Sequence, residues 1–214
     1  MWSAGPARRL PVGGRPQLLR PGFLLMRGQK VGLFGGSFDP AHDGHTHVAQ
    51  TALRRLGLDR VIWLVSPQNP LKPQSSSLKK RMKSARRHAV GPSMIVTDVE
   101  RRIGSVYTID TLCALKARFP GVRFVWIMGA DNLQSLHHWR GWIQILHEAP
   151  VAVIARPKSA IKSRLAPAAV RFAHRRLHSR AGPLLARRAT PAWLYMRAPL
   201  NFSSSSAIRA KSGR

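Results

Sequence analysis

Gly32-Leu33-Phe34-Gly35-Gly36-Ser37-Phe38-Asp39-Pro40-Ala41-His42-Asp43-Gly44-His45 is the stretch on which the reading of this chain turns. It follows the short basic and apolar run Lys30-Val31 and precedes a helical pattern in which Val48, Ala49, Ala52, Leu53 and Leu56 share one face. That order predicts a strand, a tight Gly-rich turn and a helix N-terminus, the geometry in which backbone N–H groups can face a phosphate. Gly35 and Gly36 lack a Cβ and so let a ligand approach the backbone closely. His42 and His45 stand three apart, share a face in a first helical turn, and can both donate to an anion. No GK[ST] follows the glycines, so the phosphate-gripping lysine of a Walker loop is missing, and the glycine spacing is not G-x-G-x-x-G. Phosphate binding is the favoured reading. A structural turn with a surface histidine pair is the bland alternative, and a zinc site would need ligands that no Cys cluster supplies.

Outward from this stretch, the pattern alternates. Gly57 is placed to end the first helix. Residues 60–65 (RVIWLV) read as a buried strand. Pro67, Pro70 and Pro73 make the next segment a loop. Residues 78–90 place Leu78, Met82, Ala85 and Ala89 at helical spacing. Lys79, Lys80, Arg81, Lys83, Arg86 and Arg87 stand between them, read as a solvated face with a binding surface kept open. Residues 94–99 predict a strand, Val106 to Phe119 a helix closed by Pro120-Gly121, and residues 122–128 (VRFVWIM) a strong buried strand ending at Gly129-Ala130-Asp131. A helix around Trp142 and Ile145, a strand at 151–155, one or two helices within 157–190 and a last strand at 192–197 complete the expectation. Strands alternating with helices argue an α/β fold, a Rossmann-like doubly wound parallel sheet with right-handed crossovers. Ligands then bind beyond the carboxyl ends of the strands, where the Gly-rich turn, the Pro-rich loop and Gly129-Ala130-Asp131 converge.

Composition bounds the rest. The chain has 214 residues, 44% of them hydrophobic, enough for one domain with a real core. No apolar run approaches the roughly 20 residues needed to span a membrane. Cys113 stands alone, which excludes a disulfide framework and suits a reducing cytoplasm. It lies in an apolar helical pattern, where a buried inert thiol is the default. Lys and Arg number 36 against 8 acids, a net charge of +28, and all the acids lie between Asp39 and Glu148. Such a field attracts polyanions. The basic residues are scattered rather than interleaved with aromatics, so solvated arginine is favoured over a nucleic-acid surface. Residues 1–27, with four prolines and no acid, read as a disordered basic extension with Met26 an alternative start, and 28–214 as the single domain. The oligomeric state is left open, a homo-oligomer included.

Five blocks resemble the bacterial nicotinate-nucleotide adenylyltransferases of the nucleotidyltransferase superfamily. They are Gly35 to His45; Pro67 to Pro73; Ser105-Val106-Tyr107-Thr108 with Asp110-Thr111-Leu112; Met128-Gly129-Ala130-Asp131-Asn132 with Trp139; and Ser204 to Arg209. Arg156-Pro157 also fits. The resemblance implies the nucleotidyltransferase type of the fold and adenylyl transfer from Mg-ATP to nicotinate mononucleotide, giving deamido-NAD and pyrophosphate. Nicotinamide mononucleotide and phosphopantetheine are the rival acceptors, and a basic nucleic-acid-binding protein on an inactive fold is the rival of another class. The resemblance assigns His42, His45 and Arg209 to catalysis. Gly35, Gly36, Ser37, Phe38, Gly129, Asp131, Ser205 and Ser206 join them around ATP, and Asp39, Lys72, Thr108 and Trp139 take the mononucleotide. Mg²⁺ comes with ATP, and no protein metal site is expected. Bland readings stand beside these: a solvated loop lysine for Lys72, a core residue for Trp139, a helix cap for Asp131 and a Ser-rich tail for 203–206. Arg140 stands where the family often has Tyr, and Ser206 where Thr is usual.

Overall fold

The structure, a computed structural model, describes residues 21–67, 75–155 and 165–197. Lys72, Arg156-Pro157, Ser205, Ser206 and Arg209 lie outside the described residues, as do residues 1–20. The chain runs β1 (Lys30–Gly36), α1 (Asp43–Arg55), β2 (Arg60–Val65), α2 (Leu78–His88), β3 (Met94–Thr97), α3 (Val99–Ile103), α4 (Thr108–Arg118) and β4 (Arg123–Gly129). It continues α5 (Ala130–Ser135), α6 (Trp142–Glu148), β5 (Val151–Ala155), α7 (Pro167–Arg171), β6 (Arg176–Leu177) and β7 (Trp193–Arg197), with a 3-10 segment at Ser179–Arg187. The strands form one sheet in the order β3-β2-β1-β4-β5-β7-β6. Every pairing is parallel.

Continuous apolar runs make this sheet because both its faces are covered. Successive side chains alternate faces. Leu33, Ile62, Leu64, Trp126 and Met128 pack with Leu112 and Leu115 of α4, Leu136 and Ile145 on one side. Phe34, Trp63, Val65, Val125 and Ile127 pack with Val48, Ala49, Ala52 and Leu56 of α1, Met82 and Ala85 of α2 and Leu185 on the other. Each Val, Leu, Ile, Phe or Met among them contributes roughly 1.5–3 kcal/mol when fully buried, each Ala less. Gly57 ends α1 as expected. It adopts φ +58, and Leu58 donates back to the Leu53 carbonyl at 3.0 Å.

Several boundaries differ from the sequence reading. The third strand stops at Thr97, because Asp98 binds Arg101 and Arg102 and turns the chain into α3, which buries Val99. The helix expected from Val106 begins at Thr108. Cys113 is exposed rather than buried, because it is one 100° step off the Ile109–Leu112–Leu115 stripe. Burial of part of the side chain, with Glu148 nearby, still pushes its thiol pKa up, away from reactivity.

The last residues of the expected extension are packed. The Phe23 ring stacks on Phe119 with centroids 5.7 Å apart, and Leu25 packs on the same core. Gly28 donates to the Gly121 carbonyl at 2.9 Å. Two half-buried apolar side chains are worth about 2–3 kcal/mol together. Starting the chain at Met26 should therefore lower Tm by about 4–10 °C and leave KM values unaltered. Calorimetry of the two lengths checks this, and equal Tm values would mean that Phe23 adds nothing.

Candidate active site

All strands being parallel, their carboxyl ends share one edge of the sheet. The chain builds outward from β1 to β2 and β3, then crosses to β4 on the other flank. The crevice of such a sheet opens at that reversal, between β1 and β4. The Gly-rich turn leaves β1 there, and Gly129-Ala130-Asp131 leaves β4.

The turn is held from inside the protein. A Cβ on Gly35 would lie 2.6 Å from the Trp126 ring, and one on Gly36 would lie 3.1 Å from Phe38. Glycine at 35 is thus required by packing, a reason distinct from ligand approach. Phe38 holds φ +48, left-handed backbone that costs a bulky residue about 1–3 kcal/mol. Its buried ring packs edge-on against Phe34 at 5.4 Å and His45 at 5.0 Å, and tilted on Trp63 at 5.0 Å. The Asp39–Pro40 bond is cis.

His42 caps α1 and is buried, while His45 is half-buried. The rings lie 3.9 Å apart, tilted by 42°. Gly44 N–H donates to His42 Nδ1 at 3.1 Å, and His42 N–H donates to His45 Nδ1 at 3.2 Å. Both Nδ1 atoms are acceptors, so in each neutral ring the proton sits on Nε2. One capping arrangement therefore fixes two imidazoles in the same donor tautomer at a helix N-terminus, where the helix dipole already favours an anion.

Behind the turn stands a residue the sequence reading placed on a solvated face. Arg81 is only 2% exposed. Its Nε donates to Ser76 O at 2.8 Å and Nη2 to Pro67 O at 2.6 Å. Nη1 donates to Ser37 O at 3.0 Å and to Ser66 O at 2.6 Å. The spacing carried a signal: Arg81 lies three after Leu78 and four before Ala85, on the apolar face of α2. Burial lowers its pKa, and the Asp39 carboxylate opposes that. Asp39 Oδ2 also accepts from Ser76 N–H at 2.9 Å. The other cations of α2, Lys79, Lys80, Lys83, Arg86 and Arg87, are exposed.

Thr108 opens α4, and Trp139 is half-buried against the core, beyond the 3-10 turn Leu136–His138. Their neighbours bring the two segments together. The Arg140 guanidinium lies 4.6 Å from the Tyr107 ring centroid and 3.8 Å from Asp110 Oδ2. Ser105 Oγ donates to the same carboxylate at 2.7 Å. Asp131 is exposed, and its carboxylate folds back over the end of β4, where a Cβ on Gly129 would strike it. Deeper in, Glu100 is 4% exposed. Its Oε1 accepts from Thr111 Oγ1 at 3.3 Å, Ser66 also bonds the carboxyl, and Oε2 is buried without a hydrogen-bond partner among the described residues. Burial pushes its pKa up to about 7 against those two bonds. No periodicity marked Glu100, because α3 is only one turn long.

The described residues therefore gather Gly35, Gly36, Ser37, Phe38 and Asp39 in one turn, with His42 and His45 at the start of the helix that follows it. Gly129 ends the neighbouring strand β4, and Asp131 stands in the first turn of α5. Thr108, at the start of α4, and Trp139 each adjoin the Tyr107–Arg140 contact. Among the described residues no three His, Cys, Asp or Glu side chains gather around a metal position. Nor, among them, is any helix long and apolar enough to cross a membrane.

Residues 33–211 match the cytidylyltransferase-like family. The chain is 61% identical over 184 residues to the probable nicotinate-nucleotide adenylyltransferase of Caulobacter sp. (strain K31), covering 85% of this chain and 97% of that one. It is 52% identical over 197 residues to the protein of the same description from Roseobacter denitrificans, covering 91% and 99%. Among solved structures, the fold resembles the Plasmodium falciparum nicotinic acid mononucleotide adenylyltransferase complexed with NaAD. The TM-score there is 0.64 at 16% identity, over 85% of this chain and 83% of that one.

Proposed function

The chain belongs to the cytidylyltransferase-like family, and within it to the nicotinate-nucleotide adenylyltransferases; from that membership we propose how its residues carry adenylyl transfer from ATP to nicotinate mononucleotide, a step of NAD biosynthesis. The mononucleotide's phosphate oxygen attacks the α-phosphorus of ATP in line. The new P–O bond forms as the bond from the α-phosphorus to the α,β-bridging oxygen breaks, and pyrophosphate leaves with that electron pair. No protein nucleophile and no proton transfer are needed, so the protein contributes positioning and charge stabilisation.

The observation that carries this reading is the pair of fixed Nε2–H tautomers at the N-terminus of α1. His42 and His45 donate to the ATP phosphates, and His45 to the oxygens of the transferring group. Backbone N–H groups of the Gly36–Phe38 turn add donors. Asp131, at the end of β4, accepts from ribose hydroxyls. Ser205, Ser206 and Arg209 hold the leaving pyrophosphate, and Lys72 with Asp39 serves the mononucleotide's phosphate side. The backbone around Thr108 supplies donors to the pyridine carboxylate, and Trp139 stacks on the ring. Arg140 sits on Tyr107 beside Thr108 and adds positive charge where an acidic ring approaches. Mg²⁺ would come with ATP and would neutralise part of the phosphate charge, leaving the protein residues to bind and orient the nucleotide. A cytoplasmic location is part of the same proposal, since both substrates are intracellular nucleotides.

Pyrophosphate release tests the reading, with Mg-ATP and, separately, nicotinate mononucleotide, nicotinamide mononucleotide and phosphopantetheine. Fast release with the nicotinate acceptor alone is expected. Release with another acceptor would keep the phosphate chemistry and move the substrate. Silence with all three from folded protein would overturn the assignment.

A further inference from the structure

The geometry points to Arg81 as a positioning residue that sets the distance between the ATP turn and the acceptor loop; this rests on the adenylyl-transfer reading above. Its four bonds go to main-chain carbonyls. Ser37 O belongs to the Gly-rich turn leaving β1. Ser66 O and Pro67 O belong to the chain leaving β2, where the acceptor loop begins. Ser76 O lies just after that loop and before α2. One guanidinium thus ties Ser66-Pro67 and Ser76, on either side of residues 68–74, to the turn.

Residue type matters here. Four carbonyl oxygens facing one point are an acceptor cluster without donors of its own. Arginine brings five N–H groups in a planar fork, whereas lysine brings three on a single atom. At 2% exposure no bulk water can take over the orphaned carbonyls. The same helix grips the turn a second time, because Ala41 N–H donates to Ser84 Oγ at 3.0 Å. Ser76 is tied to the turn a second time, its N–H donating to Asp39 Oδ2. In-line transfer depends on the separation of attacking oxygen and α-phosphorus, and a shift near 1 Å costs about 100-fold in rate. A residue that touches neither substrate can therefore govern the reaction through the two loops that hold them.

The test compares Arg81→Lys, Arg81→Met and, on the exposed side of the same helix, Lys83→Met. Full chains are assayed for Tm, kcat, KM for each substrate, and thermal protection by Mg-ATP alone. Arg81→Lys should remain folded and lose about 10–100-fold in kcat/KM for both substrates, with weaker protection by Mg-ATP. Arg81→Met should lose more, and Lys83→Met nothing. A purely structural role would lower Tm and leave the kinetic constants per folded molecule intact. Should Arg81→Met fail to fold, Arg81→Lys decides. Wild-type kcat, KM values and Mg-ATP protection in folded Arg81→Lys overturn the inference. An inactive wild type would overturn the adenylyl-transfer reading instead, and Mg-ATP protection would still report whether Arg81 sets the turn.

Discussion

His45→Ala should lower kcat by about 10²–10³-fold, the usual consequence of removing one preorganised donor to developing charge, while the chain stays folded. The loss should fall mainly on kcat, since His42, the backbone amides and the helix N-terminus continue to bind ground-state ATP. It should also cost about 1 kcal/mol of stability, because His42 N–H loses its Nδ1 acceptor. His45→Asn separates these two effects. Its amide oxygen can accept from His42 N–H, but its amide nitrogen is too short to stand in for Nε2. Stability should then return toward wild type while turnover stays low. Steady-state kinetics and thermal melts of the three proteins check this. Turnover in folded His45→Ala near the wild-type value would remove His45 from the mechanism and leave it a helix cap.

Local signals made the framework legible. RVIWLV and VRFVWIM are too uniformly apolar for anything but strands buried on both faces, and they became β2 and β4 within a residue or so. The turn and its histidines were equally readable, because strand, glycines and cap residues follow one another directly. Val99 went the wrong way because an apolar residue after Thr97 extends a strand pattern as well as it starts a helix. Only the grip of Asp98 on Arg101 and Arg102 decides between them. Arg81 was misplaced because its charge outweighed its position, although its position agreed with the apolar face of α2. The pairing of Arg140 with Tyr107 joins residues far apart in sequence, and nothing local announces it. Thr108, Asp131 and Trp139 entered as site residues through family resemblance, whereas the histidine pair could be argued from chemistry alone.

Glu100 carries the second large expectation, a pH dependence of stability that Glu100→Gln should abolish. Its carboxyl titrates at about 7 in the folded protein, whereas an unfolded glutamate titrates at about 4.3. Between those values the folded chain holds a proton that the unfolded chain has released, so unfolding becomes easier as pH rises. The stabilisation is complete below the unfolded value and gone once pH has passed about 7. At 1.36 kcal/mol per pKa unit the swing is about 2–4 kcal/mol. Above pH 7 the wild type must bury a carboxylate whose Oε2 finds no donor among the described residues. Glutamine keeps an oxygen for Thr111 Oγ1 and cannot ionise, so its stability does not fall with pH on this account. Urea midpoints of both proteins from pH 5 to pH 8 should diverge in favour of the variant up to about pH 7 and run level above it, the other titrating groups cancelling in the difference. Parallel pH profiles would mean that Glu100 stays ionised throughout. The bond to Ser66 at the end of β2 and the bond from Thr111 behind Thr108 would then hold a carboxylate rather than a neutral acid between the two halves of the site.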